Sequence, residues 1–514
     1  MSLTSLNFLV FLIVTGICYY ILPKRTQPYC LLVASIAFYC MVGEPWTFIY
    51  LFVSIVSVYA GTRLMEWIRK NKPQKQKKLC RIVFVTVLLC NLGILAVLKY
   101  TNFMIYNLAY LVKLLHLDIS VHTVSWAASL GISYYTLQIV SYLTDVYWEV
   151  QRPQHNFFRV ALFACFFPQM VSGPISRYSE LGVQLEQEHR FSLEQVERGA
   201  CRILWGFFKK LVISEKLAVI VNAIYADPVG YHGLYIWTAM LLFPIQIYTD
   251  FSGCMDIVLG AAECFGIFLP ENFRTPFFSR TIQEFWQRWH ITLGLWLKDY
   301  VMYPILKSNH FVAMGDKLKK KYGRKIGKQI PLYIAMLVLW FCNGIWHGNS
   351  WKYIIGVGLW YWFAIIMGQI FEPVSKRMIN ILHIPTESVV WHIFQSVRTY
   401  IVYGIGALFF CATDLRNGAF LIKCGFLEFN PQIFTDGSFL QMGLDGYDLV
   451  MLGIMIVFAF VISVLGRNGY VRDKIAAKNP LFGGFIWIML LVIVLVFGSY
   501  GNGYNASSFI YAKF

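Results

Sequence analysis

Apolar runs of roughly twenty residues, closed by charged or Pro- and Gly-bearing turns, recur along the whole chain. A bilayer core needs about 20 mostly apolar residues per helix. The pattern predicts spans near 6–22, 29–41, 46–62, 81–99, 101–116, 124–143, 156–172, 199–224, 234–260, 285–305, 331–346, 352–371, 388–412, 447–465 and 482–498. Gly, Pro or charge shortens or interrupts those at 29–41, 156–172 and 285–305. Broken helices at membrane depth are tolerated only inside protein or along a wet cavity, so some of these are expected to be re-entrant or buried. The expected fold is all-α, a polytopic transmembrane helical bundle of roughly 11–13 spans, with broken helices around a central channel. No second soluble domain or long polar linker is visible, so 1–514 reads as a single integral-membrane domain.

Composition agrees. Hydrophobic residues make up 58% of 514 positions and charged residues 14%, against roughly a quarter charged in soluble domains. The run from Leu6 to Leu22 has no basic segment before it and ends in Pro23-Lys24-Arg25 without a small-residue cleavage site. It is expected to be a retained first helix rather than a cleaved signal, with the N-terminus outside.

The net charge of +17 has two main locations. Arg69, Lys70, Lys72, Lys75, Lys77, Lys78 and Arg81 crowd one loop; Lys307, Lys317, Lys319, Lys320, Lys321, Arg324, Lys325 and Lys328 crowd another. Positive loops stay in the cytoplasm, so both are expected to face inward and to attract anionic lipid. The alternative is recognition of an anionic acyl donor such as coenzyme A. No aromatic-interleaved soluble module accompanies the charges, so no nucleic-acid partner is expected. Most of the twelve cysteines lie in apolar runs, with no Cys-x-x-Cys pair, and read as packing residues.

Ionisable residues within spans are costly and are functional candidates by default. They are densest between Tyr248 and Tyr303. Asp250-Phe251-Ser252-Gly253 is followed by Asp256, Glu263, Glu271-Asn272-Phe273-Arg274-Thr275-Pro276 and Glu284-Phe285-Trp286-Gln287-Arg288-Trp289-His290. A second cluster, Asn343-Gly344-Ile345-Trp346-His347-Gly348, puts a histidine at the end of a strongly apolar span. Acyl transfer to an alcohol needs a base, and imidazole is suited to accept and return a proton near neutral pH. The plainer reading of either histidine is a hydrogen-bonded core residue. Neither has a second His or carboxylate at i+3 or i+4 in a zinc pattern, so no metal is expected.

Glu284-Phe285-Trp286-x-Arg288-Trp289-His290-Ile291-Thr292-Leu293, followed by Asp299-Tyr300-Val301-x-Tyr303-Pro304, resembles the motif of the membrane-bound O-acyltransferase family. It is most similar to the bacterial branch of alginate O-acetylation and teichoic-acid D-alanylation membrane proteins. Gly344-Ile345-Trp346-His347-Gly348 resembles that branch's second histidine motif. Further similar segments occur in order: 22–25, 34–39, 131–138 with 145–147, 167–175 and 206–210, then the tail 509–514, where Ala512 and Lys513 depart from the commoner aromatic and glutamine. The motif core is about 130–371, with extra C-terminal spans over about 388–498.

The resemblance implies His347 as the catalytic histidine and His290 as a second active-site histidine beside a channel. A cytoplasmic thioester donor would enter from one side and the acceptor hydroxyl from the other. On chemical grounds His347 is expected to act as general base and His290 to position the thioester or polarise its carbonyl. Asn343, Trp346 and Asp250 are candidate supporting residues, with helix packing as the equally simple reading.

The expected reaction is O-acetyl transfer from acetyl-CoA, or from an acylated carrier protein, to a hydroxyl of an extracellular polysaccharide or wall polymer, or of an exported partner acyltransferase. D-alanyl transfer to teichoic acid is the alternative within the family. A transporter or channel is the alternative of another class, and would predict repeated halves that the sequence lacks. The length and the spans at 447–465 and 482–498 favour the O-acetylation type. The expected location is the cell membrane, multi-pass.

Overall fold

A computed structural model describes residues 1–117, 122–127 and 129–500; the tail motif at 509–514 lies outside the described residues. Every regular element is helical, and the described chain forms two compact units.

The first unit comprises residues 1–206 and 254–270. It carries α1 (Leu6–Ile21), α2 (Gln27–Val42), α3 (Phe48–Asn71), α4 (Gln76–Leu114) and α5 (Ile132–Tyr147). The short helices α6 (Phe157–Cys165), α7 (Phe167–Met170) and α8 (Val183–Glu186) lead into α9 (Leu193–Phe207). The interrupted run at 156–172 is thus two short helices, broken where Pro168 enters the first turn of the second. The runs at 81–99 and 101–116 are not two spans. They are one 39-residue helix, α4. Nothing in Lys99-Tyr100-Thr101-Asn102 stops a helix, and the charge between the runs is satisfied laterally. Lys99 Nζ donates to Ser133 Oγ at 2.9 Å, and Asn102 bonds the Val124 backbone through both amide atoms.

α5 begins at 132 rather than near 124. Gly131 is left-handed, with φ +67°, and a Cβ there would strike the Met170 carbonyl, so the turn demands glycine. Fifteen of its sixteen residues are buried. Buried all round, with polar Ser133, Thr136, Gln138 and Asp145 among the enclosed side chains, it is a core helix rather than a lipid-facing one.

The second unit comprises residues 207–253 and the chain from 271 on. A π turn, Phe208–Ser214, leads into α10 (Glu215–Ala226), and α11 (Leu234–Glu263) begins here and ends in the first unit. The predicted span at 285–305 resolves into α12 (Ile282–Arg288), α13 (Ile291–Leu297), a π turn Lys298–Met302 and α14 (Tyr303–Leu306). The basic helix α15 (Asn309–Tyr322) packs against α16 (Arg324–His347). A wide π turn, Tyr353–Leu359, then runs into α17 (Trp360–Ile370). α18 (Glu372–Ile381), α19 (Val389–Cys411), α20 (Leu415–Gly425), α21 (Gly446–Leu465), α22 (Val471–Ala476) and α23 (Pro480–Phe497) complete it.

Among the described residues, seven helices are long and apolar enough to cross a membrane: Pro45–Asn71, Pro73–Leu114, Arg324–His347, Tyr353–Ile370, Val389–Cys411, Gly446–Leu465 and Pro480–Phe497. The chain is therefore a polytopic helical membrane protein. Its large exposed apolar side chains, such as Ile454 and Val457 on α21 and Ile488 and Val496 on α23, are what a lipid-facing surface requires.

Candidate active site

Both histidines are buried in the second unit, on very different supports. His347 is the last residue of α16 and is 1% exposed. The helix ends there because Gly348 follows in an extended conformation, and a side chain at 348 would overlap the Tyr353 ring. Gly344, one turn earlier, allows the backbone of the following π turn to approach. A Cβ at 344 would lie 2.7 Å from Ile354 Cα and 2.8 Å from the Tyr353 carbonyl. This glycine serves backbone contact between α16 and residues 353–359. The imidazole packs edge-on against Phe410 at 5.4 Å between centroids. Lys352 donates to the Phe410 carbonyl at 3.1 Å and to that of Ala412, tying the end of α19 beside it.

His290 sits at the joint between α12 and α13, in the left-handed region at φ +46°, ψ +51°. A non-glycine residue holds that conformation only where its surroundings over-determine it. Here a short antiparallel bridge pairs Phe273 with Trp289, Arg274 N–H donates to the Arg288 carbonyl at 2.9 Å, and Ile291 N–H donates to the Asn272 carbonyl at 3.1 Å. The Asn272 side-chain oxygen accepts from Thr292 N–H at 3.1 Å and from Thr292 Oγ1 at 3.0 Å, and lies 3.3 Å from His290 Nδ1. The ring is walled edge-on by Phe251 at 4.9 Å and Trp346 at 5.4 Å.

Trp346 joins the two positions. Its ring centroid is 5.4 Å from that of His290 and 5.0 Å from that of His347. The other supporting candidates sit otherwise. Asn343 donates to the Val357 carbonyl at 3.4 Å, a helix-to-turn tie. Asp250 accepts from Lys210 Nζ at 2.6 Å, and the same ammonium is 2.6 Å from Glu215 Oε1. Asp250 therefore belongs to a buried charge cluster, in which a close partner of opposite charge offsets the cost of desolvation.

Sequence places Asn272 within the polar stretch 271–276 without a role of its own, and does not single out Phe410. Asn272 had a visible cue, its place in the polar turn between Pro270 and Pro276; Phe410 is one aromatic among many. The described residues contain no group of three His, Cys, Asp or Glu arranged to hold a metal ion, and none of the twelve cysteines is in a disulfide.

A neutral imidazole can take a proton from a hydroxyl. The carbonyl end of a helix, where His347 stands, tolerates the positive charge that then develops.

Comparison with known proteins identifies the family. Residues 38–315 match the model of the MBOAT, membrane-bound O-acyltransferase family. The chain is 27% identical over 470 residues to the probable alginate O-acetylase AlgI of Pseudomonas aeruginosa, covering 90% of this chain and 80% of that one. It is 28% identical over 373 residues to the peptidoglycan O-acetyltransferase of Helicobacter pylori, covering 68% and 65%. To the teichoic acid D-alanyltransferase of Bacillus subtilis it is 31% identical over 256 residues, covering 48% and 60%. The chain belongs to the membrane-bound O-acyltransferase family and is a multi-pass membrane acyltransferase.

Proposed function

We propose that this acyltransferase moves an acetyl group from a cytoplasmic thioester, acetyl-CoA, to a hydroxyl of an extracellular polysaccharide, wall polymer or exported partner acyltransferase. The observation that carries the reading is the convergence of two buried histidines on one tryptophan ring, Trp346. His347 removes the proton of the attacking hydroxyl. The oxygen forms its bond to the thioester carbonyl carbon, the carbon–sulfur bond breaks, and the proton returns from His347 to the leaving thiolate.

Acetyl is favoured over D-alanyl by the extent of the likeness. The alginate O-acetylase match covers 90% of the chain and the D-alanyltransferase match 48%, and α19, α21 and α23 supply the C-terminal spans expected of the longer type. Family alone does not fix substrate. Purified protein offered radiolabelled acetyl-CoA or a D-alanylated carrier protein separates the two. Label reaching an acceptor from acetyl-CoA, above the hydrolysis background, is the expected result. Transfer from the carrier alone would place the chain with the D-alanyltransferases.

A further inference from the structure

The hydrogen bonds at Asn272 determine which nitrogen of His290 carries the proton. A backbone amide only donates, so the Asn272 atom facing Thr292 N–H at 3.1 Å is the oxygen rather than the NH₂. The Thr292 hydroxyl donates to the same oxygen at 3.0 Å. His290 Nδ1, 3.3 Å from it, therefore meets a pure acceptor and must itself donate. His290, Asn272 and Thr292 are all buried, at 2%, 1% and 5% exposure. That denies a doubly protonated ring the hydration it would need.

The groups that face the imidazole include the Phe251 and Trp346 rings, the Asn272 side chain and the backbone of His290 itself. The carboxylate next to Phe251 on α11, Asp250, is bonded to Lys210. His347, which follows Trp346 on α16, is the neighbouring titratable group across that ring.

We infer that Asn272 is a positioning residue that holds His290 as its neutral Nδ1–H tautomer, so that His290 offers Nε2 as a hydrogen-bond acceptor to the substrate. This rests on the acyl-transfer reading and changes one part of it. A ring in this state has only a lone pair at Nε2. It does not donate to the thioester carbonyl and so does not polarise it. It receives an O–H instead. In an acceptor with neighbouring hydroxyls, one loses its proton to His347 while the next donates to His290, which orients the pair. The acceptor class this favours is a vicinal diol, as on a sugar ring.

Two measurements on the full-length protein test the assignment. Histidine ¹⁵N spectra of wild type, with the His290 signals identified by their loss in His290→Asn, are expected to show a protonated Nδ1 and an unprotonated Nε2. A protonated Nε2 would overturn the inference. This readout needs no substrate. A chain with the expected tautomer that acylates nothing refutes the acyl-transfer reading and leaves the assignment standing.

The second measurement is the pH–rate profile of Asn272→Asp. This variant keeps the accepting oxygen and is expected to stay folded, but its carboxylate favours the imidazolium, which has no lone pair at Nε2. The acidic limb of the profile should move to higher pH, with the rate recovering toward wild type above it. Asn272→Ala should lose up to about 100-fold at all pH values, the cost of misplacing a group at the reacting centre. A folded Asn272→Asp protein whose acidic limb does not move would sink the proposal.

Discussion

The two histidines meet the same tryptophan from opposite kinds of structure. His347 ends a 24-residue helix whose position is set by close packing, against backbone at Gly344 and against the Tyr353 ring at Gly348. His290 stands in a left-handed turn held by a short bridge and by the hydrogen bonds at Asn272. One is placed by packing, which tolerates no added volume. The other is placed by hydrogen bonds, which tolerate a change of volume but not the loss of an acceptor. Substitutions should therefore fail differently at the two positions.

The largest effect is expected at the proposed base. His347→Ala should lower acyl transfer by about 10²- to 10⁴-fold while the protein still inserts and folds, since general-base contributions have that size. Near-wild-type transfer by a well-expressed His347→Ala protein would return this histidine to the status of a core residue.

Next comes the packing that supports it. Gly344→Ala should cost about 1–3 kcal/mol, because the new methyl would sit 2.7 Å from Ile354 Cα, a backbone atom that cannot swing aside. Gly93→Ala on α4 is the control, since nothing lies within 4 Å of a Cβ there. It should gain about 0.5–1 kcal/mol from helix propensity. Thermal unfolding in one detergent compares them, and equal Tm shifts would contradict the packing account.

At His290 the comparison is between substitutions. Asn tolerates the left-handed region and can still donate toward Asn272, whereas Ala does neither. His290→Asn should be about 1 kcal/mol more stable than His290→Ala. Equal stability would mean the left-handed turn is not under strain.

The smallest effect lies away from both. His232, in the loop between α10 and α11, is 2.9 Å from Glu428 Oε2. That hydrogen bond, helped by the Val229 carbonyl, raises the His232 pKa above its ordinary value. The stabilisation is full below the unfolded-state pKa and is lost as pH rises through the higher folded-state value. The pair is largely exposed, so its worth is below about 1 kcal/mol. The Tm gap between wild type and Glu428→Gln should be small at pH 5.5 and vanish by pH 9. A gap that grows with pH would reverse the assignment.

What sequence disclosed follows from the same contrast. The helix ending at His347 was legible because an apolar run, a histidine and a glycine occur in line, and a helix end is a local event. The break at His290 was not. An interruption somewhere in 285–305 is expected, but Trp289-His290-Ile291-Thr292 carries no proline or glycine to place it at His290. The turn exists because residues 272–274, some sixteen positions earlier, pair with residues 288–291. Asp250 shows the converse. Its intramembrane charge marked it as a candidate, yet its partner Lys210 lies forty residues away, so that the charge is matched by an ion pair was visible only in three dimensions. The merging of two runs into α4 has a similar cause, since the lysine between them is satisfied from α5.

The π turn at Tyr353–Leu359 sets a rotational phase. Each residue of an α-helix advances it by about 100°, and a π turn takes up one residue more than the regular spiral would. Wound as regular helix, the same residues would swing α17 round by about that angle. The wide turn absorbs the extra residue instead. The Tyr361 hydroxyl stays 2.9 Å from the Tyr403 carbonyl, and the Trp360 indole 2.9 Å from the Val402 carbonyl. The aromatic stack of Tyr361 on Tyr403 at 5.9 Å is kept with them. In this stretch the turn acts as a slipped gear tooth: one residue is passed over, and the side chains beyond it still point at their neighbours on α19.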